Sequence, residues 1–201
     1  MEASASIRSI PVGMLQANCY LLCCGGECCL IDPGDEPERL LRAVEESGCT
    51  LRFLLLTHGH FDHYGAVRPI LAHCPALPVY LHESDLSDGE EQLRMRRLDA
   101  ANQRLYREGD ELTLGGLTIR VLETPGHSAG SVTLQAEDVL FTGDTLFAGS
   151  CGRTDFPGSS PRAMRDSLRR LAALPGDFQI LPGHGDPTTL ERERRTNYYL
   201  R

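Results

Sequence analysis

The segment Thr57-His58-Gly59-His60-Phe61-Asp62-His63 sets three imidazoles and a carboxylate within six residues. Imidazole and carboxylate together are the ligands of borderline-soft divalent cations. Packing so many polar groups without a cation costs desolvation free energy. The two-residue spacing of His58 and His60 lets both rings point to one side of an extended chain. Gly59 has no side chain to obstruct them. Asp62 and His63 follow where the chain turns and can face a second point. A solvated polar loop would account for one histidine but not for three in this order.

Three further segments supply what such a site still needs. They are Thr124-Pro125-Gly126-His127-Ser128, Thr142-Gly143-Asp144-Thr145 and Leu181-Pro182-Gly183-His184-Gly185. Each follows an apolar stretch, and a rigid strand end is a good place to hold a ligand. Taken singly, His127 or His184 reads as a hydrogen-bonded loop histidine and Asp144 as a turn or cap residue. Together they repeat one arrangement. His73 and His82 lack it and read as structural or surface residues.

The elements that would position these groups are legible. Short apolar or alternating runs predict strands over 6–12, 19–24, 28–32, 51–56, 79–82, 111–114, 117–123, 131–135, 139–142 and 178–181. Helices are expected over 37–47, 65–72, 161–174 and 190–200. Residues 83–107 are polar and charge-rich, with one helix expected near 90–105, and read as a lid or a surface excursion. Both halves run strands first and then a helix–strand unit. The expected class is α/β, a four-layer αββα sandwich of two mixed β-sheets flanked by helices. No linker divides the chain, so one domain over 1–201 is expected.

Composition narrows the partners. With 201 residues, 41% hydrophobic and 24% charged, the chain has the ordinary globular mix and is not wholly disordered. No apolar run reaches the roughly 18 residues of a membrane span, and no basic cluster followed by an apolar stretch marks a secretory leader. A net charge of −8 disfavours nucleic acid. Eight cysteines without a leader read as reduced thiols, so a cytoplasmic location is expected. Cys23, Cys24, Cys28 and Cys29 could pass for a zinc knuckle. Gly25-Gly26 between them reads better as a hairpin turn, with the thiols packed as small hydrophobes.

The order His58-x-His60-x-Asp62-His63, His127, Asp144, His184 resembles the metallo-β-lactamase superfamily. Within it the chain is similar to glyoxalase II-like thioesterases, the hydroxyacylglutathione hydrolases. Asn18-Cys19-Tyr20, Asp32-Pro33-Gly34, Gly143-Asp144-Thr145-Leu146-Phe147, Cys151-Gly152-Arg153 and Pro182-Gly183-His184-Gly185 carry that likeness over about residues 6–200.

The resemblance implies two divalent metal ions. His58, His60 and His127 would hold the first, and Asp62, His63 and His184 the second. Asp144 would bridge them, which makes Asp62 and Asp144 the catalytic carboxylates. Zinc is the default; iron and manganese also suit these ligands. The reaction implied is hydrolysis of a small-molecule thioester such as S-lactoylglutathione by a metal-bridging hydroxide. A thiol with pKa about 8.5 leaves as thiolate without a strong acid.

Two features depart from the fuller glyoxalase II pattern. The sequence runs only 17 residues past His184, too few for a C-terminal helical substrate domain, and Thr154-Asp155-Phe156 replaces an aromatic pattern after Arg153. Arg153 has a fork suited to a substrate carboxylate, or to an ion pair with Asp155. Cys151 has no evident activating base, and Tyr20 reads as a core residue. A mononuclear-iron persulfide dioxygenase is the rival enzyme reading, and a non-catalytic metal-containing sensor the rival of another class. A monomer or homodimer is expected, with neither nucleic acid nor membrane as partner.

Overall fold

The computed structural model describes residues 5–87 and 94–200. The first sheet begins with a hairpin of β1 (Ser6–Val12) and β2 (Ala17–Cys24), paired from Ser6↔Cys23 to Val12↔Ala17. Gly25 and Gly26, both at positive φ, turn the chain into β3 (Glu27–Ile31). That conformation is what a two-residue hairpin demands and what glycine adopts without strain. Helix α1 (Pro37–Ser47) follows, with proline in its first turn and Gly48 closing it in the left-handed region. Strand β4 (Thr50–Leu55), the short helix α2 (Phe61–Tyr64), α3 (Val67–His73), β5 (Val79–His82) and β6 (Gln103–Tyr106) complete the first half. The sheet order is β1-β2-β3-β4-β5-β6, antiparallel at first and parallel from β3 onward.

The second half mirrors this plan. Strands β7 (Glu111–Leu114), β8 (Leu117–Glu123), β9 (Val132–Ala136) and β10 (Val139–Gly143) form an antiparallel meander. After α4 (Pro161–Ala172), β11 (Gln179–Pro182) returns parallel to β10, and β12 (Thr188–Thr189) leads into α5 (Leu190–Thr196). The second sheet runs β12-β11-β10-β9-β8-β7. Both helices are capped by side chains: Ser160 accepts from the Ala163 N–H and Thr189 from the Arg192 N–H.

Three apolar clusters stack these layers. Between the sheets lie Tyr20, Ile31, Leu55, Ile119, Leu134 and Phe141, with Tyr20 and Phe141 meeting edge to face at 5.2 Å. Leu40, Leu54, Val67 and Ile70 seal the first sheet against its helices, and Leu140, Met164, Leu168 and Ile180 the second. Each such side chain contributes about 1.5–3 kcal/mol by leaving water. The result is the expected αββα sandwich of two mixed sheets.

The cysteine run packs as expected for small hydrophobes: Cys24, Cys28 and Cys29 are buried, and all eight thiols are unbridged. Two expectations are corrected. No helix occupies 94–105; Gln103–Tyr106 is instead a parallel edge strand on β5, where Tyr106 is buried and donates its hydroxyl to the Leu56 carbonyl. The part of that expected helix over 90–93 lies outside the described residues. The closing helix is shorter than 190–200: it stops at Thr196 and is followed by a 3₁₀ turn at Tyr198–Leu200. Asn197 ends it, its side-chain amide spent on Phe147 O, Ser150 O and Glu193 Oε2. Among the described residues no helix is long and apolar enough to cross a membrane.

Candidate metal centre

Strand ends from both sheets converge at one edge of the sandwich. The turn after β4 carries His58 and His60, and α2 carries Asp62 and His63. The loop after β8 carries His127, the end of β10 Asp144, and the end of β11 His184. All seven expected residues come together. Three overlapping groups each place their donor atoms within 4.8 Å of one another: His58, His60 and His127; His58, His63 and Asp144; Asp62, His63 and His184. His60 Nδ1 lies 2.8 Å from His127 Nε2, and Asp144 Oδ2 is 3.2 Å from His127 Nε2. His184 Nε2 approaches Asp62 Oδ2 to 3.2 Å.

Four of the five rings have their Nδ1 engaged by an oxygen outside the cluster. His58 Nδ1 meets Thr57 Oγ1 at 3.2 Å and His63 Nδ1 meets Asp32 Oδ2 at 2.9 Å. His127 Nδ1 meets the Arg153 carbonyl at 2.8 Å and His184 Nδ1 the Leu15 carbonyl at 3.2 Å. An Nδ1–H donated outward leaves Nε2 with its lone pair facing in, which is the tautomer that binds metal. Among the described residues, His58 Nε2, His63 Nε2 and Asp144 Oδ1 are buried with no hydrogen-bond partner, the last two lying 3.4 Å apart. Orphaned polar atoms at this depth are costly unless a cation takes them. The donor set therefore fits divalent metal.

Burial and crowding set the charges. Burial, then the neighbouring His63, His127 and His60, push the His58 pKa well down. Burial and then His127 lower that of His60 to about 4. Both rings are thus neutral and able to donate a lone pair. Burial alone would raise the Asp144 pKa, but His63, His127 and His184 outweigh it and hold the carboxyl at about 2. At His63 burial lowers the pKa, and the Asp32 and Asp144 carboxylates reverse that and raise it.

Two carboxylates beneath the cluster stand outside the expected ligand set. Asp32, at the end of β3 in a left-handed conformation, accepts from Thr57 N–H at 2.7 Å, Thr57 Oγ1–H at 2.6 Å and His63 Nδ1–H at 2.9 Å. Asp85 accepts from Gly59 N–H, Ser128 Oγ–H and Gly130 N–H at 2.6–2.8 Å, so it ties the His58–His60 turn to the His127 loop. Asp32 opens a Pro-Gly motif that looks like a strand stop, and Asp85 sits in a polar stretch. In each case the partners that reveal the role are far away in sequence.

Gly183 shows how tightly the cluster is cradled. A Cβ there would meet Asp144 Oδ1 at 2.3 Å and His63 Cε1 at 2.7 Å. Gly183→Ala is expected to weaken zinc binding by about 10–100-fold, the range typical of disturbed metal surroundings. Competition with a chromophoric chelator measures it. Unchanged affinity would show that the cradle yields.

The remaining expected residues are also placed. Arg153 lines the cavity, and its Nε and Nη2 both reach Asp155 at 2.6 Å in an exposed pair. Cys151 is half-buried, and burial raises its thiol pKa, the opposite of an activated nucleophile. Tyr20 is a core residue whose hydroxyl donates to the Pro182 carbonyl.

Residues 12–184 match the family model described as "Metallo-beta-lactamase superfamily". The chain belongs to that superfamily. It is a metallo-hydrolase by this membership and carries a His/Asp metal-binding group. Among superfamily relatives, it is 37% identical to "Probable metallo-hydrolase YqgX" of Bacillus subtilis over 96% of each chain. It is 36% identical to "Hydroxyacylglutathione hydrolase GloC" of Haemophilus influenzae, covering 97% of this chain and 98% of that one. A solved superfamily structure, TTHA1623 in a di-iron-bound form, superposes with a TM-score of 0.84 at 42% identity, covering 96% of this chain and 100% of that one.

Proposed function

We propose that this chain is a glyoxalase II-like thioesterase acting on a small-molecule thioester. The observation that carries the reading is the inward cluster of histidine nitrogens and carboxylate oxygens, in which His58 Nε2, His63 Nε2 and Asp144 Oδ1 have no hydrogen-bond partner among the described residues. His58, His60 and His127 would hold one divalent ion, and Asp62, His63 and His184 a second, with Asp144 between them. Zinc suits the donors by default; the di-iron form of TTHA1623 supports iron as the alternative. Such ions, when bound, polarise an acyl oxygen and bring the pKa of water towards about 7.

The protein's own part is positioning. Asp144 and Asp62 supply the negative charge that keeps cations in the cluster. The Nδ1 contacts of His58, His63, His127 and His184 fix ring orientation. The cavity of about 500 Å³ over the cluster is within the usual size of a small-molecule site. A thiolate leaves without a strong acid, and the cavity lining holds none besides the donor residues.

The similarity to GloC supports the thioester class. The test is thiol release from acyl thioesters, S-lactoylglutathione among them, with metal analysis and an oxygen electrode alongside. Thiol release by zinc-loaded protein without oxygen uptake is expected. One iron per chain with oxygen consumed on a persulfide would replace the reading with a dioxygenase. No turnover of any ester, thioester, lactone or persulfide would leave a metal-containing sensor.

A further inference from the structure

Beside the donor groups the cavity wall is largely apolar, formed by Leu15, Phe61, Phe147 and Phe156. A second hollow of about 320 Å³ adjoins it, between the β1–β2 hairpin tip, Gly13-Met14-Leu15, and Gly34-Asp35. Leu15, Phe61 and Asp62 line both spaces, so the hollow opens beside the cluster itself. Met14 is 99% exposed, and Leu15 and Phe61 are 55% and 57% exposed. Three large apolar side chains held together in water at the mouth of a site mark a binding surface for an apolar group.

Charge points the same way. Among the described residues, Arg153 is the only Lys or Arg lining either space. Its Nε and Nη2 face Asp155, and its guanidinium lies 4.2 Å over the Phe156 ring. Among the described residues, the one charged group the hollow adds is Asp35.

Resting on the thioesterase reading, we propose that the hollow between the hairpin tip and Phe61 receives an uncharged, apolar acyl chain. The substrates are then thioesters of apolar acyl groups. Thiol carriers are polar, so the apolar space suits the acyl side of the scissile bond. In the reaction the acyl carbon–sulfur bond breaks and the oxygen of water bonds to that carbon. The water's protons go to sulfur and to solvent, and no oxidation state changes.

The test uses zinc-loaded protein and N-acetylcysteamine thioesters of straight acyl chains from acetyl to octanoyl. The expected result is a rise in kcat/KM of about threefold to fourfold per methylene until the hollow is filled, from the transfer free energy of a CH₂ group. A chain of equal length ending in carboxylate loses that gain. Leu15→Ser and Phe61→Ser flatten the slope, judged as a ratio within each variant. A flat wild-type slope, or faster turnover of the carboxylate-ended chain, overturns the proposal. The non-hydrolysable thioether S-octyl-N-acetylcysteamine gives a second readout by calorimetry. It is expected to bind with a negative heat-capacity change, several-fold more weakly to Leu15→Ser. Failure to bind overturns the apolar site whatever the turnover. Binding without hydrolysis of any thioester overturns the thioesterase reading and leaves the apolar site standing.

Discussion

Protein stripped of metal by a chelator is expected to turn over thioesters at least about 10⁴-fold more slowly than zinc-loaded protein, with recovery on adding zinc. The loss corresponds to several kcal/mol of Lewis-acid and nucleophile assistance. Among the described residues, the side chains nearby do not replace it: Arg153, in the cavity lining, is engaged by Asp155, and Cys151, next to the lining residue Gly152, has a raised thiol pKa. A second readout is independent of activity. An ion that binds only the folded chain stabilises it by about 4 kcal/mol at a thousand times its Kd. For a chain of this size that is about 8–16 °C in Tm. The gain has a structural source, because His58 Nε2, His63 Nε2 and Asp144 Oδ1 acquire a partner they otherwise lack. Calorimetry and thiol release on stripped and reloaded samples check both. Stripped protein, verified by metal analysis, that keeps its rate and its Tm would remove the basis of the proposed function.

The second large effect is expected at Asp32. Asp32→Ala leaves the Thr57 N–H, the Thr57 hydroxyl and His63 Nδ1 without their shared acceptor, in a place where Asp32 is 1% exposed. Breaking a buried charged contact of this kind costs about 3–5 kcal/mol. Metal affinity should fall about 10–100-fold as well, because His63 loses the contact that orients its ring. Asp32→Asn separates the two contributions. It keeps the volume but offers one oxygen where two serve three donors, and its amide faces a donor. It should recover part of the stability and little of the affinity. Denaturant midpoints and zinc competition measure the pair of variants. If Asp32→Ala matches wild type in both, Asp32 is neither a support nor an orienting group.

The seven expected donors were readable because each stands in a short segment that announces itself. For His127, Asp144 and His184 a run of apolar residues ends, glycine or proline breaks it, and the ligand follows; His58, His60, Asp62 and His63 are crowded into six residues after one such run. The strands were readable from their apolar residues: β4 ends on Phe53-Leu54-Leu55, β10 opens on Val139-Leu140-Phe141, and β8 alternates over most of its length. Asp32 and Asp85 resisted because their meaning lies in partners 25 to 45 residues away. A buried acceptor is recognisable only once its donors are in place. The expected helix over 90–105 failed for a related reason. Polar residues at helical spacing cannot reveal that β5 offers an open parallel edge, and Gln103–Tyr106 takes it. At the chain's end, the helical pattern past Thr196 carries no mark of what Asn197 does: its amide hydrogen bonds reach Phe147, fifty residues away.

The two sheets are laced together directly at the edge where the donors meet. Asn18 N–H donates to the Gly183 carbonyl at 2.7 Å, and its side chain to Pro182 and Gly185. Val132 N–H donates to the Thr57 carbonyl at 2.8 Å across the other side. The donor set is split between halves that join only through such long-range contacts, so it cannot exist before the halves dock. A growing or refolding chain thus has no complete cage for an ion to seize early. A cation that needs the complete donor set would bind last, as a latch on finished architecture. It slows escape from the native state far more than it hastens the approach to it.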